Sequence, residues 1–290
     1  MNHRVELLLH QYMEDASNGK SSMSDENIGK ICDDIKEALQ RQFGSKTKND
    51  KFALRMSNLG RPTCQLWFAK NKPKTAIAKP SNFIMNMMIG DIVEAIFKGL
   101  LREANVKFID SDKVHLDVSK TKVSGTYDLV LDDAVDDIKS ASDWSYRNKF
   151  ESYETLSGGD SFGYVGQLAG YAKALDKKAG GWWVVNKANG KFKYVSPSGL
   201  DIEKEVTKLE ENVKRHESNE FQRCFESEDE MFRGKPTGNK VLGVTCSFCD
   251  FRYECWKGLQ EKPSIPSKAQ FPKMVSYVSI SEEYSDGQKN

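Results

Sequence analysis

Residues 125–140 read GTYDLVLDDAVDDIKS. Thr126–Leu131 and Ala134–Ile138 alternate as strands do, and the acidic pair Asp132-Asp133 separates them. A two-residue gap between such runs predicts a β-hairpin, although Asp-Asp fits that loop less well than Asn-Gly or Asp-Gly. With Asp132-Asp133 as the turn, Leu131 faces Ala134 and Asp128 faces Asp137. Asp137 and Lys139, two apart, project from one face of their strand. Directly opposed side chains stand about 4.5–5.5 Å apart at Cβ, where like charges destabilise. Two carboxylates and an ammonium converging there ask for a cation between the acids. The plain alternative is an acidic turn on a solvated hairpin.

The chain has 290 residues, of which 38% are hydrophobic and 29% charged. That length can bury a full core, as one large domain or two modest ones. The net charge is +1, so a nucleic-acid partner must be held by a local patch rather than by the field of the whole molecule. One candidate is 70–79 (KNKPKTAIAK), with four lysines, against its ordinary reading as an exposed loop. No apolar run approaches the ~20 residues of a membrane span. The start, MNHRVELLLHQYMED, meets acids too soon for a signal peptide. The expectation is an intracellular, cytoplasmic protein with no membrane partner.

Residues 1–50 predict a helical N-terminal arm, with Ser24 capping a segment that carries Ile28, Ile31, Ile35, Leu39 and Phe43, and Gly44–Asp50 as a polar linker. Asn82–Glu103 is an amphipathic helix whose apolar face is Ile89, Ile92, Val93, Ile96, Phe97, Leu100 and Leu101, with Glu94 and Asp91 outside that stripe. From Val106 the period becomes two, giving strands at Val106–Ile109 and Val114–Val118 ahead of the hairpin. A polar loop, Ser142–Gly159, leads to a helix near Ser161–Leu175 that Gly180-Gly181 ends. Trp182–Asn186 and Lys191–Val195 form another hairpin, Asp201–Phe232 is mostly helical, and residues 261–290 are an extended tail. No internal repeat occurs. The order predicts an α/β fold with a mixed central sheet flanked by helices.

Phosphodiester cleavage needs charge stabilisation by a metal and a water made nucleophilic beside it. Mg²⁺ and Mn²⁺ take carboxylates, carbonyls and water. Asp128, Asp137 and the Ile138 carbonyl offer three such oxygens, and Lys139 can orient the water. Glu94 is well typed for a further ligand, against its reading as a solvated helix residue. Gln167 and Tyr171, four apart on one helix face, can position DNA or water, although such a pair alone is common.

Six cysteines are present. Cys246-x₂-Cys249-x₅-Cys255 sets three thiols in an aromatic-rich segment, and Cys64 is the best fourth for zinc or an iron–sulfur cluster. Zinc more often uses two close pairs, and three unliganded cysteines are the plain alternative. Cys32, on an apolar helix side, and Cys224, in a charged helix, read as ordinary single cysteines.

Cys64, Glu94, Asp128, Asp137-Ile138-Lys139, Gln167-x₃-Tyr171 and the cysteine triplet follow one another in an order that resembles the RecB-like branch of the PD-(D/E)XK nuclease superfamily. The resemblance spans about residues 55–258 and points to its iron–sulfur members, such as AddB-type helicase-nuclease subunits and CRISPR adaptation nucleases. It implies a restriction-endonuclease-like core at 51–240 and a cysteine-rich segment at 241–260 packing with Cys64. It further implies Asp128 and Asp137 as metal-binding acids, Lys139 as the catalytic lysine, Gln167 and Tyr171 as DNA-positioning residues, and a structural 4Fe–4S cluster on Cys64, Cys246, Cys249 and Cys255. Many such proteins carry a histidine where this chain has Glu94; related viral exonucleases use a glutamate. No P-loop and no helicase motor accompany the motifs. The stretch SNLGRPTCQLWF (57–68) also resembles small phage-encoded exonucleases, which implies a virus-encoded protein.

The expectation is a Mg²⁺- or Mn²⁺-dependent deoxyribonuclease acting on single strands or DNA ends in replication, recombination or repair, an exonuclease before an endonuclease. A recombination or replication protein is a possible partner, with ring and monomer both open. The competing readings are a zinc-stapled nucleic-acid-binding module and a recombination-accessory protein that keeps the fold without the activity.

Overall fold

The computed structural model describes residues 3–44 and 52–282. Its helices open with α1 (Arg4–Ser17), α2 (Asp25–Phe43), α3 (Met56–Leu59), α4 (Thr63–Asn71) and α5 (Phe83–Glu103). Then come β1 (Phe108–Val118), β2 (Thr121–Leu131), β3 (Ala134–Ala141), α6 (Tyr153–Gly158), α7 (Tyr164–Leu175), β4 (Lys178–Asn186), β5 (Phe192–Val195) and α8 (Ile202–Ser218). The chain finishes with β6 (Glu228–Phe232), β7 (Lys235–Val241), α9 (Val244–Ser247), α10 (Arg252–Cys255), β8 (Gln260–Pro263) and β9 (Met274–Ser279). Among the described residues no helix is long and apolar enough to cross a membrane. Contacts divide the chain into two units, Met1–Gly60 with Lys79–Lys214, and Arg61–Ala78 with Arg215–Asn290.

The first unit is an α/β body on a mixed sheet in the order β1-β2-β3-β4-β5, antiparallel except for the parallel β3–β4 pair. Parallel neighbours need a crossover, and α6 and α7 supply it. One face is closed by α1 and α5, whose Val5, Leu9, Phe97 and Leu101 pack with Leu129, Leu131, Ile138 and Trp183 of the sheet. Strand alternation then turns Asp137 and Lys139 away from this core, toward Tyr164 and Tyr171 of α7.

The expected arm is therefore half core: α1 contributes Val5 and Leu9, both buried. α2 lies on α5, where Gly99 leaves room for the Ile31 side chain and its carbonyl accepts from Asn27 Nδ2 at 2.8 Å. Ser24 caps α2 through the Asn27 N–H at 3.4 Å, as the sequence predicts. Most of the Gly44–Asp50 linker lies outside the described residues.

Several sequence expectations need correction. The two short strands expected within 106–118 are one strand, β1, from Phe108 to Val118, because most of its polar middle pairs with β2. The loop at 142–159 holds a π-helical turn (Ser145–Lys149) and α6, which Ser152 caps through the Thr155 N–H. Gly180-Gly181 does not end a helix. α7 stops at the left-handed Asp176, and the glycines lie inside β4, where a Cβ on Gly180 would strike Asp136 and one on Gly181 would come 2.5 Å from the Val195 carbonyl oxygen. Ile96 on the expected apolar face is 43% exposed, whereas Lys98 is 4% exposed.

The second unit carries an antiparallel sheet in the order β6-β7-β9-β8 with α4, α9 and α10. One expectation changes here and another sharpens. Residues beyond 218 leave the helix and re-form as β6, and within the expected extended tail residues 261–282 supply β9 and most of β8. The strands are held by a satisfied buried carboxylate: Glu230 accepts from Tyr277 OH at 2.7 Å and from Asn239 Nδ2 at 2.7 Å. Residues 283–290 of the expected tail lie outside the described residues.

Candidate functional site

The β2–β3 turn fixes the acids. Asp132 (φ 48°) and Asp133 (φ 62°) both adopt the left-handed conformation that a type I′ loop demands. The register follows, with Leu131 on Ala134 and Leu129 on Asp136. Asp128 therefore lies beside the next residues of β3, and its Oδ2 accepts the Ile138 backbone N–H at 2.7 Å. Asp137 is 2% exposed and meets Lys139 Nζ at 2.5 Å. Apart from that ion pair, neither Asp137 oxygen has a hydrogen-bond partner.

The electrostatics show a region short of positive charge. Burial and then the neighbouring Asp137 push the Asp128 carboxyl up to about 7. Burial also raises Asp137, against the pull of Lys139. Glu94 on α5 is raised by burial and by Asp128. For Lys139 burial works against the charged form, but Asp137 and Asp128 outweigh it and its pKa rises. Three mutually opposing carboxylates, one of them with an unpartnered buried oxygen, form a hard-oxygen donor set that suits a divalent cation. The side chains themselves are not gathered into a cage: among the described residues no group of three or more His, Cys, Asp or Glu is placed to hold a metal ion. Instead Lys139 sits on Asp137, and Lys98 holds Glu94 at 2.8 Å and Asp110 at 3.0 Å.

Gln167 and Tyr171 join this group from α7. Gln167 Nε2 donates to Tyr171 OH at 3.3 Å, and burial raises the Tyr171 phenol to about 12, with Asp137 and Asp128 adding to the effect. Gly125 makes room for that ring: a Cβ there would come 2.6 Å from Tyr171 Cε1 and 2.7 Å from Met56 Cγ. Glu94, Asp128, Asp137, Ile138, Lys139, Gln167 and Tyr171 are thus brought to one place. The Ile138 contact is made by its N–H, donated to Asp128.

Sequence reasoning passed over Lys98, although its i+4 spacing from Glu94 was a signal. It also missed Asp136, whose side chain accepts from Trp183 Nε1 at 3.0 Å and Tyr194 OH at 3.1 Å behind the site.

In the second unit Cys64, Cys246, Cys249 and Cys255 line one pocket with Phe68 and Trp256. Phe68 stacks on Phe251, and the Arg223 guanidinium lies 4.0 Å from the centre of the Trp256 ring. Four thiols lining one apolar pocket are the donor type that iron and sulfur, or zinc, takes, although among the described residues they, like the acids, are not gathered at metal-binding distances. Cys224 corrects its expectation: it lies past the end of α8, and its Sγ accepts the Cys64 N–H at 3.1 Å at the start of α4. Hydrogen bonding from Cys64 lowers the Cys224 thiol to about 6 despite its burial. Cys32 is exposed rather than on an apolar side. Of the four lysines at 70–79, two are engaged within this unit: Lys70 donates to the His216 carbonyl at 3.2 Å, and Lys72 pairs with Glu254 at 2.7 Å.

No protein-family model matches the chain, and no curated protein does. The crystal structure of SSO0001 is similar over 75% of this chain and 92% of its own, at 14% identity and a TM-score of 0.42. A likeness that loose carries no argument about fold family or function.

Proposed function

We propose that this chain is a divalent-metal-dependent deoxyribonuclease with a restriction-endonuclease-like core of the PD-(D/E)XK type, acting as an exonuclease on DNA ends. The reading rests above all on Asp137, a buried carboxylate paired to Lys139 through Oδ2, with no hydrogen-bond partner on Oδ1, and set beside Asp128 by a tight turn. Asp128, Asp137 and Glu94, with the Ile138 carbonyl, are the residues that would hold Mg²⁺ or Mn²⁺. A bound ion of this kind supplies charge stabilisation at the scissile phosphate. Lys139, kept charged by the two aspartates, orients the attacking water and balances the phosphate. The Gln167 amide and Tyr171 phenol stand as one hydrogen-bonded unit beside the acids and steer the strand.

Cys64, Cys246, Cys249 and Cys255 hold a 4Fe–4S cluster in this reading, with zinc as the other occupant. The cluster would tie α4 to the α9–α10 segment and serve folding rather than chemistry. Linear and covalently closed circular DNA, incubated with Mg²⁺, Mn²⁺ or EDTA, test the proposal. Metal-dependent loss of linear DNA alone supports an exonuclease. Nicking of the circle means an endonuclease, and no cleavage of either by folded protein moves the reading to an accessory protein.

A further inference from the structure

Next to Lys139 the first unit builds a row of rings and ammonium groups that the acids do not require. Lys139 Nζ lies 5.2 Å from the centre of the Tyr164 ring. Tyr164 stacks on Phe162 at 5.6 Å between centroids and 10° between planes, and on Phe150 at 5.8 Å. Lys149 Nζ lies 4.7 Å from the Phe162 and Tyr164 centroids alike. Its nearest acid, Asp160, is 4.0 Å away, beyond hydrogen-bonding reach. Tyr164 is half-buried, whereas Phe162 is 53% exposed at the outer end of the row.

The loop that presents these rings is held rigidly. Asp160 takes the Gly163 N–H at 3.0 Å on one oxygen and the Val165 N–H at 2.8 Å on the other. Gly163 has φ +78°, and a Cβ on it would come 2.6 Å from Gly60 Cα. A left-handed residue packed this closely admits only glycine, and it brings residues 162 and 164 into register as a stack. An aromatic side chain that is 53% exposed and fixed in advance costs little ordering entropy when a ligand covers it.

We propose that Phe162, backed by Tyr164 and flanked by Lys149, is a stacking platform for an unpaired DNA base, which makes a single strand or a frayed end the substrate led to Lys139. This rests on reading Lys139 as part of the nuclease site. Every base has a π-face, whereas a duplex hides the faces of all but its terminal pairs, so the platform selects unpaired strand without selecting sequence. Lys149, whose side chain is 13% exposed, braces both rings, and the row runs inward from there to the catalytic lysine.

The test is the affinity of fluorescein-labelled single-stranded and blunt duplex oligonucleotides, measured by anisotropy in EDTA so that nothing is cut. Wild type is compared with Phe162→Ala, Phe162→Leu and Phe162→Trp. Substitution at an exposed position leaves the fold intact, which a thermal melt checks. Alanine and leucine are expected to weaken single-strand binding by roughly tenfold, within the range one base stack is worth, with tryptophan restoring it and duplex affinity moving less than about twofold. Leucine at wild-type affinity means an apolar contact instead of a stack and overturns the proposal. So do equal losses on both DNAs, and so does a wild type that binds neither. If the substitutions act as expected on a protein that never cleaves DNA, the platform stands and the nuclease reading falls. If cleavage is metal-dependent and Phe162→Ala binds normally, the platform alone falls.

Discussion

The Asp128 carboxylate and the Ile138 backbone N–H meet at 2.7 Å, and that bond ties the acid of one strand to the residue between Asp137 and Lys139 on the next. It depends on the two-residue turn, since a one-residue slip would send Asp137 and Lys139 to the opposite face of the sheet. Both turn residues are aspartates in a left-handed conformation that glycine adopts more readily. Asp133→Gly is expected to raise the melting temperature slightly while leaving function intact. The Asp133–Lys177 ion pair it removes is exposed at Asp133 and contributes little. A lower melting temperature would mean that this ion pair, not the turn geometry, holds the hairpin.

Stability should depend on pH through Asp136. Burial, opposed by hydrogen bonds from Trp183 and Tyr194, raises its carboxyl to about 7. The unfolded carboxyl ionises near 3.9, so between about pH 4 and 7 the folded state holds a proton that the unfolded state has lost. Folding stability therefore falls as pH rises through that window and levels off above it. The slope of denaturation midpoints against pH should be shallower in Asp136→Asn. An unchanged slope would place the titration elsewhere, at Asp128 or Asp137.

Gly125→Ala should be costly although glycine in a strand is usually a weakness. The added methyl meets the Tyr171 ring and the Met56 side chain at under 3 Å, so both must give. Overpacking of this kind costs about 1–3 kcal/mol. Chemical denaturation measures it, and because Tyr171 is displaced from the acids, activity should drop more than stability alone explains. A fully stable and active Gly125→Ala would contradict the assigned role of Tyr171.

Of the five cysteines in the second unit, four line the pocket and one, Cys224, does not. Cys249→Ser, in the pocket, should lose bound metal and lower the melting temperature by several degrees, since structural metal binding is coupled to folding. Cys224→Ser, on the α4 N-terminus, should keep its metal content and visible colour. Elemental analysis for iron and zinc and an absorption spectrum check both. A Cys249→Ser protein with full metal and full stability would remove the staple.

Much of the site was legible because its residues sit in elements with strong local signals. Strand-like alternation around one turn puts Asp128, Asp137 and Lys139 on one face. Glu94, Gln167 and Tyr171 are drawn to the site by residue type and by the resemblance, their helical spacing alone being common. What stayed hidden was decided by partners distant in sequence. Lys98 looks like a surface residue until Glu94 and Asp110 neutralise it in the interior. Gly180-Gly181 looks like a helix stop until Asp136 and Tyr194 require the space above β4. Cys224 falls within the charged run 201–232 that the sequence reads as mostly helical, yet its thiol belongs to the start of α4. Residues 260–279 have no periodic signal because their strands, β8 and β9, are short and are joined by an irregular, proline-containing segment.

The most direct test of the central claim is cleavage of end-labelled linear DNA by wild type and Asp137→Asn, each with Mn²⁺ and with EDTA. Asparagine keeps the shape of the buried side chain and removes the charge that a cation requires. The account predicts metal-dependent release of label by wild type and a loss of at least roughly a hundredfold in the variant, as for removal of a group that stabilises transition-state charge. Cleavage by Asp137→Asn at the wild-type rate, or cleavage by wild type that EDTA does not stop, would contradict it.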